Sequence, residues 1–187
     1  MKTINKYKMK TNRLAMVILM AVLPLVTFSQ SLFEKYEDLD EVSTVVVTKH
    51  AFRLMAKIGG DSKEAKEYVD MVQTLDNLTV YTTEDKGIAA KIKADVKKYL
   101  NTAELSELVR IKDDEANVRI YVREGRDDSH VKELFMFVNS LNNVEINGRN
   151  PSVVVVSLTG DIDLEKIGKL TDKMNIPGGK HLKKASK

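Results

Sequence analysis

The chain of 187 residues contains no cysteine. That excludes a disulfide framework, a thiolate metal site, and a lipid carried on the cysteine that follows an export signal. Stability has to come from packing. The three histidines, His50, His130 and His181, are isolated from one another, and none is within helical reach of a second. There is no glycine-rich phosphate cradle and no Gly-x-Ser-x-Gly elbow; Ser157 sits inside a run of valines. No low-complexity linker interrupts Gln30 to Pro177. The longest apolar run, Leu14 to Phe28, holds fifteen residues, short of the roughly twenty that a helix rising 1.5 Å per residue needs to cross a bilayer.

That run is preceded by Lys2, Lys6, Lys8, Lys10 and Arg13 with no acidic residue, and followed by Ser29, Gln30 and Ser31. A basic start, a short apolar core and small residues at the end are the marks of a cleavable export signal. Pro24 breaks the helix near the end of the run, and Thr27 and Ser29 supply small side chains at the minus-three and minus-one positions. The expected cut lies between Ser29 and Gln30, so contact with a membrane is made only through residues 1–29 and only before cleavage. Met9 offers a second start that gives the same mature chain, and an uncut anchor is the alternative reading.

Removing the leader changes the charge. The whole chain carries +3, but residues 30–187 hold 25 basic against 27 acidic residues, and four lysines (Lys180, Lys183, Lys184, Lys187) crowd the last ten positions. The body from Gln30 to Pro177 therefore carries 21 basic against 27 acidic residues. Nucleic acid is not expected as a partner, because phosphate backbones are gripped by clustered positive charge. The organisation expected is a signal peptide at 1–29, one domain at 30–177, and a disordered basic tail at 178–187.

Periodicity sets the elements. Phe33, Tyr36 and Leu39 predict a short helix, and the β-branched STVVVT of Ser43 to Thr48 a strand. Phe52, Met55 and Ile58 share a helical face that stops at Gly59 and Gly60, and Asp61 with Glu64 forms a capping box for a helix striped by Ala65, Tyr68, Val69, Val72 and Leu75. The LTVYT of Leu78 to Thr82 reads as a strand, and Thr82 or Thr83 as the cap of a helix carrying Ile88, Ile92, Val96 and Tyr99 or Leu100. Period two then takes over: Val109 with Ile111 and Val118 with Ile120 and Val122 predict a hairpin, followed by strands at Val131 to Asn139 and Ser152 to Thr159. Leu164, Ile167, Leu170 and Met174 mark a last helix capped by Asp161 or Asp163. Leu134 to Val138 and Val153 to Val156 are apolar on both sides, as central strands are. The fold class expected is α+β, a single domain with helices packed on a mainly antiparallel β-sheet; the helix-separated early strands also permit β-α-β crossovers. The second apolar sheet face is open to cover by terminal helices or by another subunit.

Few residues invite chemistry. His130 after Asp127 and Asp128 offers carboxylate and imidazole ligands, but the same segment reads as a solvated turn. His50 opens a helix, where a lone histidine is ordinarily a surface residue. Gly160 to Asp163 resembles the start of a calcium loop yet lacks the closing glutamate, and helix capping accounts for it better. Asn77-Leu78-Thr79 fits a glycosylation pattern but overlaps a strand. Arg119, Tyr121 and Arg123 along one strand face suit either an anion-binding surface or an ordinary solvated face. No catalytic residue, cofactor or metal is expected.

The order of FEKYEDLD (Phe33 to Asp40), STVVVTKHAFRLM (Ser43 to Met55), VYTTED (Val80 to Asp85) and LTGDIDLEKIGKL (Leu158 to Leu170) resembles the exported Bacteroidota family catalogued as domain of unknown function 4252. The resemblance implies a cell-envelope protein, often encoded near an extracytoplasmic-function sigma factor. Some relatives look lipid-anchored, and the missing cysteine departs from them, favouring a soluble periplasmic or secreted form. The function expected is a non-enzymatic binding module that contacts an envelope protein or surface ligand in stress signalling or envelope maintenance. A hydrolytic enzyme would need His130 and Asp127 or Asp128 in a concave cluster with another acidic residue or histidine. A structural, adhesin-like subunit would expose an apolar patch on Leu134 to Val138.

Overall fold

The computed structural model describes residues 32–58, 63–112, 114, 116–139, 141 and 148–167. Ser29, Gln30, the rest of the leader, the Asp61 cap and the basic tail lie outside them. So do Gly59, Gly60 and the last helix beyond Ile167.

After a helical turn at 32–34, the elements run β1 (Val42–Thr48), α1 (Lys49–Ile58), α2 (Lys63–Val72), β2 (Leu75–Thr83) and α3 (Lys86–Thr102). Four strands follow in succession: β3 (Ser106–Lys112), β4 (Asn117–Glu124), β5 (His130–Asn139) and β6 (Val153–Asp163). They form one six-stranded sheet in the order β1-β2-β6-β5-β4-β3, and every neighbouring pair is antiparallel. The α+β class holds, and the permitted β-α-β crossovers are not used by the described strands. β5 and β6 are central, as their two-sided apolar character requires.

The connection from β2 to β3 has to pass from the second sheet position to the last, about 19 Å at the usual strand spacing. α3, with seventeen residues, is about 26 Å long and covers that distance. Asp85 caps it by accepting from Ile88 N at 2.7 Å. Thr82 and Thr83, expected as caps, are still in β2; Thr83 Oγ1 instead donates to Glu41 O at 2.7 Å. Leu75, counted as the end of a helical stripe, opens β2, because α2 stops at Val72. At the far end of the chain Asp163 is the cap, accepting from Glu165 N at 2.9 Å, while Asp161 lies within β6.

Side-chain alternation divides the interior in two. On one face Val118, Ile120 and Val122 of β4, Leu134, Met136 and Val138 of β5, and Val154, Val156 and Leu158 of β6 share a buried cluster with Phe52 and Ala56 of α1 and Met71 and Val72 of α2. On the other, Tyr121, Phe135, Phe137, Val153 and Val155 are buried with Ala89, Ile92, Val96 and Tyr99 of α3 and with Phe33 and Tyr36. All of Leu134 to Val138 are buried, so the exposed patch of an adhesin-like subunit is not found there. In β5 the buried set passes from Val131 to Leu134, a change of parity that the register shift between Val131 and Glu133 produces. Glu133 is in phase with Phe135 and Phe137 and faces α3, while the bulge turns Val131 to the opposite face.

β6 bends at Gly160, whose φ is +144°. A Cβ there would come within 2.5 Å of Thr74 O and 2.7 Å of Leu75 Cα, both backbone atoms that cannot move aside. The register shift between Leu75 and Asn77 lies opposite this residue. Gly160→Ala is expected to cost about 2–4 kcal/mol through strain and overlap, read as a lower urea midpoint. A midpoint within error of the parent would show that the bend tolerates a side chain.

Candidate functional site

A cleft of about 510 Å³ opens on the α3 face of the sheet beside β1. Its floor is sheet: Val46 and Thr48 from β1, Asn77, Thr79 and Tyr81 from β2, and Thr159 from β6. One wall is the segment ahead of β1, which contributes Glu34 and Glu37; the other is Lys49 and His50 at the start of α1, with Asp76. The first wall is held by its own anchors. Phe33 is buried with its ring centroid 6.0 Å from that of Tyr81 and 5.9 Å from that of Tyr99. Tyr36 OH donates to Asp95 Oδ2 at 2.6 Å, and Tyr81 OH donates to Glu37 Oε1 at 2.8 Å.

Electrostatics follow from these contacts. Burial pushes the Tyr81 hydroxyl well above its ordinary value, and the hydrogen bond to Glu37 and the charges of Glu37 and Glu34 add to it. Tyr81 is therefore a fixed neutral donor. Burial would raise Asp95, but hydrogen bonds from Lys35 and Tyr36 outweigh it and hold the carboxyl below the usual range. Lys49 pairs with Asp76, and Asn77 Nδ2 donates to Thr79 Oγ1 at 2.9 Å within β2. Three carboxylates against one lysine and one exposed histidine leave the cleft acidic. Such a concave, mixed-polarity site suits a compact ligand that carries hydrogen-bond donors or positive charge.

His50 thus lines the cleft, in a setting that no local pattern announced. Glu34, Glu37 and Asp76 were missed altogether; they come from segments too far apart in sequence to form a motif. Asn77, read as a glycosylation pattern, is half-buried in the same floor.

His130 belongs to a different place, the turn between β4 and β5. Its Nδ1 lies 2.7 Å from Asp127 Oδ1 and 3.0 Å from Ser129 Oγ, while Arg126 Nη2 approaches Nε2 at 2.6 Å. With Nε2 accepting from Arg126, Nδ1 carries the proton that Asp127 accepts. A serine relay needs the nucleophile on one ring nitrogen and the carboxylate on the other. Here Asp127 and Ser129 share a single nitrogen, and Ser129 Oγ also donates to Asp127 at 2.9 Å. Arg126 further ties the turn to Asp161 at 3.2 Å, which gives Asp161 a tether in place of a capping or calcium role. Asp128 is exposed. Among the described residues no three of His, Cys, Asp and Glu are grouped to hold a metal ion.

The hydrogen bond from His130, then that from Ser129, lowers the Asp127 carboxyl from 3.8 to about 2. Its contribution to stability is fully present above the unfolded value and is lost as pH falls through the folded one. Asp127→Asn should therefore lower the melting temperature by a constant small amount at neutral pH. The difference should vanish between pH 3.8 and about 2. A difference that persists to pH 2 would break this assignment.

Of Arg119, Tyr121 and Arg123, expected either as a solvated face or as an anion-binding surface, the two arginines are partly buried. Tyr121 is 8% exposed. Arg123 Nη2 donates to Glu133 Oε2 at 3.0 Å, and Glu133 Oε1 accepts from Tyr99 OH at 2.6 Å. Burial lowers the Arg123 guanidinium, and the Glu133 bond and charge more than restore it. Tyr121 and Arg123 thus face α3, with Arg123 held by Glu133.

Fold and cleft together define a protein with an open antiparallel sheet, helices in both buried clusters and an acidic cleft beside one edge. Among the described residues no helix is long and apolar enough to cross a membrane. The chain belongs to the family described as Domain of unknown function (DUF4252), whose model matches residues 36–170. The match holds Ser43 to Met55, Val80 to Asp85 and Leu158 to Leu170 entire, and the first of the four segments from Tyr36 onward. No curated protein and no solved structure matches the chain.

Proposed function

We propose that this is an exported cell-envelope protein, cut between Ser29 and Gln30, in which residues 30–177 form one non-enzymatic binding domain in the periplasm or outside the cell. The observation that carries it is the acidic cleft beside β1, where Glu34, Glu37 and Asp76 meet Lys49, His50 and the fixed hydroxyl of Tyr81. The leader pattern supports export, and the resemblance to exported Bacteroidota proteins supports an envelope setting linked to stress signalling. The ligand is a protein segment or small molecule presenting an amine or several hydrogen-bond donors.

The test is capture from a native envelope extract on the protein tagged at its C-terminal tail, with a Glu34→Gln/Glu37→Gln variant beside it. Glutamine keeps an acceptor for Tyr81 and removes both charges. A partner held by the parent and lost by the variant supports the cleft; equal retention by both rules it out as the contact. Mass spectrometry of the exported chain should find Gln30 first, and an N-terminus at Met1 or Met9 would overturn the cleavage.

A further inference from the structure

The two edges of the sheet are made differently. β3 carries Glu107, Arg110 and Lys112 and a register shift between Glu107 and Val109, the devices that keep an edge from pairing with another chain. β1, the other edge, reads VSTVVVT, with no charge and no proline, and pairs with β2 in unbroken register. Val45 is 51% exposed and Val46 48%, on opposite sides of the strand. Among the described residues no strand pairs with the outer side of β1.

We propose that β1 is the interface of a homodimer, in which a second copy adds its own β1 antiparallel about a two-fold axis through Val45. The sequence is self-complementary in that register. Val42 faces Thr48, Ser43 faces Val47, Thr44 faces Val46 and Val45 faces itself, so β-branched side chains meet one another or serine across the seam. Immediately beyond the strand ends Glu41 of one copy and Lys49 of the other flank the seam, acid beside base at both ends. Moving the centre by one residue to Thr44 places Lys49 opposite Leu39 and Glu41 opposite Val47, and the charge match is lost. A contact of this kind is isologous and closes on itself, using up the unprotected edge in both copies. The axis stands perpendicular to the sheet, so the two clefts open on the same side. The area is small, and the dimer is weak and concentration-dependent.

Sedimentation velocity on the chain expressed with its leader and purified after export should show monomer passing to dimer as concentration rises. Val45→Lys, which sets like charges against each other across the axis, should raise the dissociation constant at least tenfold. Val45 is half exposed, and a melting curve confirms that the variant folds. Register is read independently by disulfide formation, since the chain has no cysteine of its own. Directly opposite residues of an antiparallel pair have Cα atoms about 4.5–5.5 Å apart, within disulfide range. Val45→Cys should link to itself under mild oxidation. Val42→Cys should link to Thr48→Cys but not to itself. A monomer at every concentration, a dimer that Val45→Lys leaves intact, or self-linking of Val42→Cys equal to that of Val45→Cys would each overturn the proposal.

Discussion

Replacing Phe135 by alanine should lower the free energy of unfolding by about 3–5 kcal/mol, the range for truncating a buried phenylalanine. Phe135 is 1% exposed and lies on β5 between β4 and β6. Its ring centroid is 5.1 Å from that of Tyr99 and 6.0 Å from that of Phe33, so it joins α3, the sheet and the segment ahead of β1. The site cannot collapse to fill the space, because hydrogen-bonded strands fix its floor on both sides. The expected result is a shifted urea midpoint with an unchanged slope. Val45→Ala, on the half-exposed edge strand, is the control and should move stability by no more than about 0.5 kcal/mol. Equal effects at the two positions would refute the burial argument.

Glu133→Ala should be nearly as damaging, by about 2–3 kcal/mol. Removing one partner of a buried ion pair ordinarily costs about 3–5 kcal/mol, because the other charge stays behind unpaired. Here the Arg123 side chain keeps 29% of its surface in solvent, which screens the orphaned guanidinium and reduces the cost. Tyr99 OH loses its acceptor at the same time. Glu133→Gln retains an acceptor for Tyr99 and should lose only about 1 kcal/mol. The decisive measurement is a double-mutant cycle with Arg123→Met, in which the two losses should fall short of additivity by at least about 1 kcal/mol. Strict additivity would mean that the ion pair adds nothing beyond its separate side chains.

Glu133 also shows where sequence reading stops. The strands were legible because β-branched runs and two-residue periods are local signals, and α3 because its apolar stripe is regular. Nothing local marks Glu133 as a buried carboxylate, because its partners Arg123 and Tyr99 come from another strand and from α3. The same blindness applied to Arg119, Tyr121 and Arg123. Their alternation was plain, but which side of the hairpin faced α3 depended on where a helix many residues upstream would lie. Leu75 was misassigned because a hydrophobic residue three after Val72 fits a helix as well as a strand.

The pairing of β2 with β6 was out of reach for the same reason, since it is a contact between opposite ends of the chain. The cleft inherits that limit. Its floor needs β1, β2 and β6 side by side, and its acidic wall depends on Phe33 finding Tyr81 and Tyr99. Of its lining residues His50 and Asn77 had been singled out, each for another reason, and nothing near them in sequence pointed to Glu34 or Glu37.

The place of β6 has a further consequence for how the chain folds as it is made. Among the described strands it is the last to be synthesised, yet it separates β2 from β5, so until Val153 to Asp163 has emerged the sheet exists only as two pieces with no shared edge. Neither piece can close the interior, because Phe135 and Met136 would lie on a bare outer strand. Long-range pairing of this kind forms slowly. A nascent chain therefore has little of this sheet to fold around until β6 has been made. The sheet closes only once Val153 to Asp163 can enter between β2 and β5.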